Sequence, residues 1–203
     1  MNGETDAIGV VSVSSRMPSQ SRIKGALRSR GGDGTNSIDG RPAAVLVPFC
    51  NVDGELSILF IRRSMTLTHH PGQMAFPGGA VDPDDRNLSA TAVRETVEEI
   101  GVQESEVEIW GTLDPLLTIS NFALSPFTGW LSQVSDLRIS EREVSEVVTV
   151  PVCALLDRSC DRDETRSTES GFVSRPTYAY NGRVIWGSTG QIVSQLIDCL
   201  RQA

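Results

Sequence analysis

Two apolar runs joined by a tight turn constrain this chain more than any other feature in it. Ala43 to Pro48, within "RPAAVLVPFC", reads as a buried strand ended by a proline. "NVDGELSILFIRR" follows, with Asp53-Gly54 as a strong turn dipeptide and Leu56 to Ile61 as the returning strand. A hairpin this apolar has to be covered on its faces, which points to a sheet packed against helices.

The rest of the chain supplies the partners. "VEIWGTLDPL", "FALSPFTGWL" and "VVTVPV" read as further strands, with loops at 118–121 and 136–143. "TYAYNGRVIW" reads as a second hairpin turning at Asn181-Gly182. Thr189 to Leu200 is an amphipathic helix with Ile192, Val193, Leu196 and Ile197 on one face. Asp157 to Pro176 is polar and resembles an insertion, and the Gly- and Pro-punctuated "SMTLTHHPGQMAFPGGAVDPDD" is a long loop. Residues 1–40, rich in Ser, Gly and polar side chains, are expected to be a flexible segment in which "SRIKGALRSR" could form a short helix. The pattern as a whole predicts one domain over 41–203, a mixed sheet flanked by two or three helices.

Charge narrows the functional classes. A formal net charge of −8 argues against nonspecific attraction to nucleic acid or an anionic membrane. Lys24 is the only lysine, so the G-x-x-x-x-G-K-[ST] phosphate loop is excluded. Cys50, Cys153, Cys160 and Cys199 form no C-x-x-C pair, and with only His69 and His70 to help them a structural zinc site is not expected. Free thiols suit a reducing compartment. No apolar run is long enough to span a membrane, and the first residues lack the apolar core of a secretory signal. Arg16 to Arg30, Arg- and Ser-rich without acids, faintly resembles a transit peptide, but the acidic start with Glu4 and Asp6 argues against one, so a cytoplasmic protein is expected.

"RETVEEIGV", Arg94 to Val102, poses a sharper question. Glu95, Glu98 and Glu99 are related by i, i+3 and i+4, so a helix over Ala90 to Ile100 gathers them on one side. Like charges at that spacing destabilise a helix. Ser89 would cap it and Gly101 would stop it in a left-handed turn. Val93, Thr96, Val97 and Ile100 form the opposite face, which would pack on the sheet and leave the acids outward. Two explanations of the acids stand level on these residues alone: a solvated face, or oxygen ligands for a divalent cation.

The stretch "GAVDPDDRNLSATAVRETVEEIGV", Gly79 to Val102, resembles the Nudix box: a glycine, a downstream acid, then Arg-Glu-hydrophobic-x-Glu-Glu-x-Gly-hydrophobic. Arg94, Glu95, Glu98, Glu99, Gly101 and Val102 match it, and Thr96 stands at the hydrophobic position. Where the box carries its earlier glutamate this chain has Arg86, and Asp85 stands in with one extra loop residue. Upstream, Arg63, Ser64, Leu67, His70, Gly72, Gln73, Met74, Ala75, Phe76, Pro77, Gly78 and Gly79 are similar to a second signature, that of the coenzyme A diphosphatase branch. Thr68 departs from it, at a position usually basic.

The resemblance implies an α/β/α sandwich with a mixed central sheet (α/β in the broad sense, α+β in the narrow) and a metal-dependent diphosphatase using Mg²⁺ or Mn²⁺. Glu95 and Glu99 would be the best pair of ligands, Glu98 a ligand or a base, and the carbonyl of Gly79 a further ligand. Arg94 would fix the box loop through Asp85. Glu143, ahead of Glu146, would be the general base, and Arg63, His70 and Gln73 would meet the substrate. The implied reaction cleaves coenzyme A or a derivative into a 4′-phosphopantetheine species and adenosine 3′,5′-bisphosphate. Another dinucleotide, such as ADP-ribose or NADH, is the rival substrate, and a nucleotide sensor without catalysis ranks below both. The expected partner is a small nucleoside diphosphate derivative rather than nucleic acid or membrane, and a homodimer fits the family.

Overall fold

The computed structural model describes residues 19–29, 38–168 and 171–202. Its elements run α1 (Gln20–Ser29), β1 (Arg41–Val52), β2 (Glu55–Arg63), β3 (Met74–Ala75), β4 (Gly78–Ala80), α2 (Leu88–Ile100), β5 (Val107–Thr112), β6 (Leu116–Leu117), β7 (Phe122–Leu131), β8 (Val144–Pro151), α3 (Val152–Leu156), β9 (Asp161–Thr168), β10 (Gly171–Tyr180), β11 (Arg183–Ile185) and α4 (Gly187–Arg201). Strands β1 and β2 form the expected hairpin, and Asp53 and Gly54 take the two positive φ angles, 51° and 85°, that its turn requires.

The hairpin does not stay closed. β1 and β2 pair from Phe49↔Ile58 to Val52↔Glu55 and then diverge, and the segment 74–80 fills the gap. β3 pairs with β2 at Ile61↔Ala75, while β4 pairs with β1 at Ala44↔Gly79 and Val45↔Gly78. Pro77 O between them accepts from Leu46 N at 2.9 Å. On the far side of β1 lies β7, parallel to it from Arg41↔Phe122 to Phe49↔Trp130, and beyond that β5; β8 pairs the other edge of β2. The result is the mixed central sheet that the residue pattern predicts.

Two apolar clusters cover the sheet. Alternate residues of β1 and β2 (Ala44, Leu46, Leu59, Ile61) point to the side that holds Ala92 and Ile100 of α2. The others (Val45, Val47, Phe49, Ile58, Phe60) meet α4 through Ile192, Val193, Leu196 and Ile197, together with Ile23 and Leu27 of α1. Phe49 stacks on Trp110 at 5.3 Å and Trp110 on Trp130 at 5.7 Å, which ties β1, β5 and β7 together.

Several expectations are corrected. The short helix in "SRIKGALRSR" belongs to the core: Ile23 and Leu27 are fully buried, and a Cβ at Gly111 would lie 2.4 Å from Leu27 O. Four helices, not two or three, accompany the sheet among the described residues. The polar stretch 157–176, resembling an insertion, is mostly regular structure: it forms β9 and much of β10, paired from Tyr178↔Asp161 to Gly171↔Thr168. A polar strand is stable there because the ladder is made by main-chain groups and anchored at its inner end by buried Tyr178. The helix α2 starts earlier than Ala90, capped by Asn87 rather than Ser89. Asn87 Oδ1 accepts from Ala90 N at 2.9 Å and also from Ser89 Oγ at 2.7 Å. Gly101, at φ 74°, ends it as expected.

Candidate active site

The helix α2 carries its acids in three different environments, so they do not form the single outward stripe that helical spacing suggests. Glu99 is 2% exposed, with Oε2 accepting from Gly78 N at 3.0 Å. Burial pushes its carboxyl up to about 8, with the neighbouring negative charges of Glu95 and Glu143 adding and the Gly78 hydrogen bond and Arg63 opposing. Glu95 is half-buried and also raised, by burial first, with Arg94 pulling the other way. Glu98 is exposed. The helix rotates Thr91, Ala92, Thr96 and Glu99 toward the sheet and leaves Val93 and Val97 only half-covered.

Arg94 organises the outer part of the cluster. All five of its N–H donors have acceptors: Nε to Asp85 Oδ1 at 3.0 Å, Nη2 to Asp85 Oδ2 at 3.0 Å and Ala80 O at 3.2 Å, and Nη1 to Glu95 Oε1 and Glu98 Oε2, both at 3.0 Å. Asp85 also accepts from Thr91 Oγ1 at 2.8 Å and Asp82 N at 2.9 Å. Hydrogen bonding from Arg94 holds the Asp85 carboxyl far below the usual carboxylate range. Asp85 thus anchors the loop between β4 and α2, as its position in the motif implies.

The two glycines of "FPGG" are needed for contact rather than only for turning. Gly78 has φ 152°, and a Cβ there would lie 2.3 Å from Ala44 O. A Cβ at Gly79 would lie 2.5 Å from Glu95 Oε1. The main chain of β4 therefore lies directly against the carboxylates of Glu95 and Glu99.

Arg63 ends β2 on the same side. Its main chain is tied to the β2–β3 loop, Arg63 N donating to Gln73 O at 2.9 Å and Gly72 N to Arg63 O at 3.1 Å. Its Nε is buried with no hydrogen-bond partner. Gln73 is half-buried in that loop, and His70 is exposed with φ 56°. Arg62, alternating to the other face, donates from Nε to Gly72 O at 3.3 Å.

The two candidate bases separate cleanly. Glu146 is held by Arg183 of β11 through two contacts, Nη2 to Oε1 and Nε to Oε2 (3.2 Å for the second), and that partner lowers its carboxyl. Glu143 is exposed, and its charge acts on both Glu95 and Glu99. The structure brings Arg63, Glu95, Glu99 and Glu143 to one place and ties Glu146 elsewhere. Arg183, which holds Glu146, carries no local signal, because the two residues lie 37 positions apart, whereas Glu143 N is held by Ser140 O in a local turn. Thr91 follows Asn87 on the first turn of α2 and could have been suspected as a loop anchor.

Among the described residues no three His, Cys, Asp or Glu side chains form a ready-made metal cluster. Arg94 Nη1 sits between Glu95 and Glu98 and supplies positive charge there. The donor set nonetheless fits a hard divalent cation: three carboxylates and nearby main-chain carbonyls, all oxygen, with Glu99 buried and in no ion pair among the described residues. A groove of about 310 Å³ runs along the outer side of α2, lined by Asp84, Asp85, Arg94 and Glu98 among others. Glu95 and Glu99 do not line it; their carboxylates face β4.

Comparison with known proteins shows the family and the fold. Residues 40–166 match the model of the NUDIX domain. The uncharacterized Nudix hydrolase NudL of Photorhabdus laumondii is 36% identical over 162 residues, covering 79% of this chain and 85% of that protein. The human mitochondrial coenzyme A diphosphatase NUDT8 is 33% identical over 173 residues, covering 82% of this chain and 73% of that protein. Among solved structures, a NUDIX hydrolase from Alicyclobacillus acidocaldarius shares the fold, with a TM-score of 0.52 at 22% identity over 80% of this chain and 93% of that one.

Proposed function

The chain belongs to the Nudix hydrolase family, which acts on phosphorus-containing anhydrides, and from that premise we propose that it cleaves the diphosphate of coenzyme A or its derivatives. The products are a 4′-phosphopantetheine species and adenosine 3′,5′-bisphosphate. The substrate class is supported by the likeness to a coenzyme A diphosphatase over most of the chain. The observation that carries the chemistry is Glu99, a carboxylate 2% exposed whose carboxyl is pushed up to about 8 beside a second half-buried acid. Such a site is poised to accept a cation.

Glu95, Glu98 and Glu99, with the Gly79 carbonyl, would hold Mg²⁺ or Mn²⁺. When bound, the ion neutralises charge on the diphosphate oxygens and makes the attacking water more acidic. The chain's own side chains do the rest. Arg63, with its buried and unpartnered Nε, binds a phosphate oxygen and offsets charge as the bridging oxygen leaves. Glu143 takes the proton from the attacking water. His70 and Gln73, in the loop pinned to Arg63, meet the nucleotide or pantetheine side. The reading carries with it a catalytic domain over 41–203 with α1 packed against it, and a cytoplasmic enzyme, in keeping with four cysteines that form no disulfide.

The test is mass-spectrometric product analysis with coenzyme A, dephospho-coenzyme A, ADP-ribose and NADH, with Mg²⁺ or Mn²⁺ present and Glu99→Gln as control. Adenosine 3′,5′-bisphosphate from coenzyme A, abolished in the variant, is the expected result. Preferential turnover of ADP-ribose or NADH would overturn the substrate. Nucleotide binding without turnover would point to a sensor.

A further inference from the structure

A helix leaves its last carbonyls without partners inside the helix, and in α2 two of these are taken by one loop. Arg138 N donates to Ile100 O at 3.0 Å, and Ser140 N donates to Glu99 O at 2.9 Å. Ser140 O then accepts from Glu143 N at 2.8 Å, and Glu143 O accepts from Ser64 N at 2.8 Å. A run of main-chain hydrogen bonds therefore connects the carbonyl of Glu99 to Glu143, and Glu143 to the neighbour of Arg63. The Glu143 residue is exposed, so main-chain bonding, rather than packing of its side chain, sets where it stands.

Gly101 lies at the junction between this loop and the helix. Its φ of 74° is left-handed backbone, which glycine takes freely and asparagine takes at some cost. Its surroundings leave no room for a side chain: a Cβ would lie 2.5 Å from Arg138 O, 2.8 Å from Arg138 Cβ and 3.0 Å from Arg138 N. A simple helix stop requires only the first property, and the absence of a side chain serves the loop.

We propose that Gly101 is a positioning residue for Glu143: having no side chain, it lets residues 138–143 dock on the end of α2 and so holds Glu143 beside Glu95 and Glu99. This rests on the reading of Glu143 as the proton acceptor. It makes one glycine serve both the fold and the base.

The experiment compares Gly101→Asn, Glu143→Gln and the double variant on whichever diphosphate the wild type cleaves fastest. Gly101→Asn introduces the residue that after glycine most readily takes the left-handed conformation, together with the obstructing side chain. It should fold and bind Mn²⁺ like the wild type, with KM little changed. Its kcat should fall toward that of Glu143→Gln, where loss of a general base costs about 10²–10⁴-fold. The double variant should be no slower than Glu143→Gln alone, because both changes remove one function. Ser140→Pro leaves Gly101 in place, removes the N–H that reaches Glu99, and should give the same kcat loss; it carries the test if Gly101→Asn does not fold. Losses that multiply in the double variant, or wild-type kcat in both loop variants, would overturn the proposal and leave the diphosphatase reading standing. Full activity in Glu143→Gln would overturn the role of Glu143 and this proposal with it.

Discussion

Arg94 and Asp85 meet in a two-point ion pair, Nε to Oδ1 and Nη2 to Oδ2, each at 3.0 Å, with the Asp85 side chain 6% exposed. Asp85→Asn breaks it and leaves a guanidinium facing an amide. Because Arg94 is partly exposed, the expected cost is below that of a fully buried pair, roughly 2 kcal/mol. Thermal unfolding should show Tm lower by roughly 4–8 °C. Arg94→Lys should behave similarly, since one ammonium cannot reach acceptors set for a planar fork. An unchanged Tm in both would show that the loop is held by other contacts.

Gly79→Ala tests whether the main chain of β4 is part of the acid site. The added Cβ would lie 2.5 Å from the Glu95 carboxylate, so that side chain must move. Mn²⁺ affinity and kcat should fall together, by more than the change in Tm accounts for. Wild-type Mn²⁺ affinity would show that Glu95 is free to reorient.

Glu99 gives the metal-free protein a pH signature. Its folded-state carboxyl titrates at about 8 against an ordinary value of 4.5, so it contributes most to stability when protonated. That contribution is complete below pH 4.5 and is lost as pH rises toward 8. With chelator present, Glu99→Gln should therefore match the wild type near pH 5 and exceed it in Tm near pH 8. Adding Mn²⁺ at pH 8 should reverse the order, because the cation binds the ionised carboxylate. Parallel Tm curves for the two proteins would remove Glu99 as the source.

Glu143 and Glu146 should respond oppositely to the same change. Glu146 is engaged by Arg183, so Glu146→Gln is expected to alter stability while leaving kcat near wild type. Glu143→Gln should lose about 10²–10⁴-fold in kcat with little change in Tm. Steady-state kinetics beside calorimetry decides, and a slow Glu146→Gln would exchange their roles.

Leu27 of α1 is fully buried among residues that lie beyond residue 41. Leu27→Ala should cost about 2–5 kcal/mol, measurable by urea unfolding. A cost near zero would mean that α1 is dispensable to the domain.

What could be read from the residues alone was what local periodicity and turn chemistry encode. The β1–β2 hairpin follows from two apolar runs around Asp53-Gly54, and α2 from its spacing and Gly101. The burial of Glu99 was not legible, because helical spacing gives the angle between residues and leaves open which stripe meets the sheet. Ser89 and Asn87 are both competent caps two residues apart, and the hydrogen bonds to Asn87 Oδ1 show which one serves. The Glu146–Arg183 pair joins residues 37 positions apart, beyond any local pattern. In β9 the polar side chains concealed a strand whose stability comes from its main chain.

The wedge of residues 74–80 between β1 and β2 stands between the acids of α2 and the loop proposed to meet the substrate. This stretch is hydrogen-bonded into the sheet on both sides. The neighbouring residues 64–73, where Met65, His69 and His70 stand exposed, are pinned near their ends, at Ser64, Gly72 and Gln73. On the proposed reading, changes in that arch would alter which diphosphate is admitted without moving the acids that would cleave it.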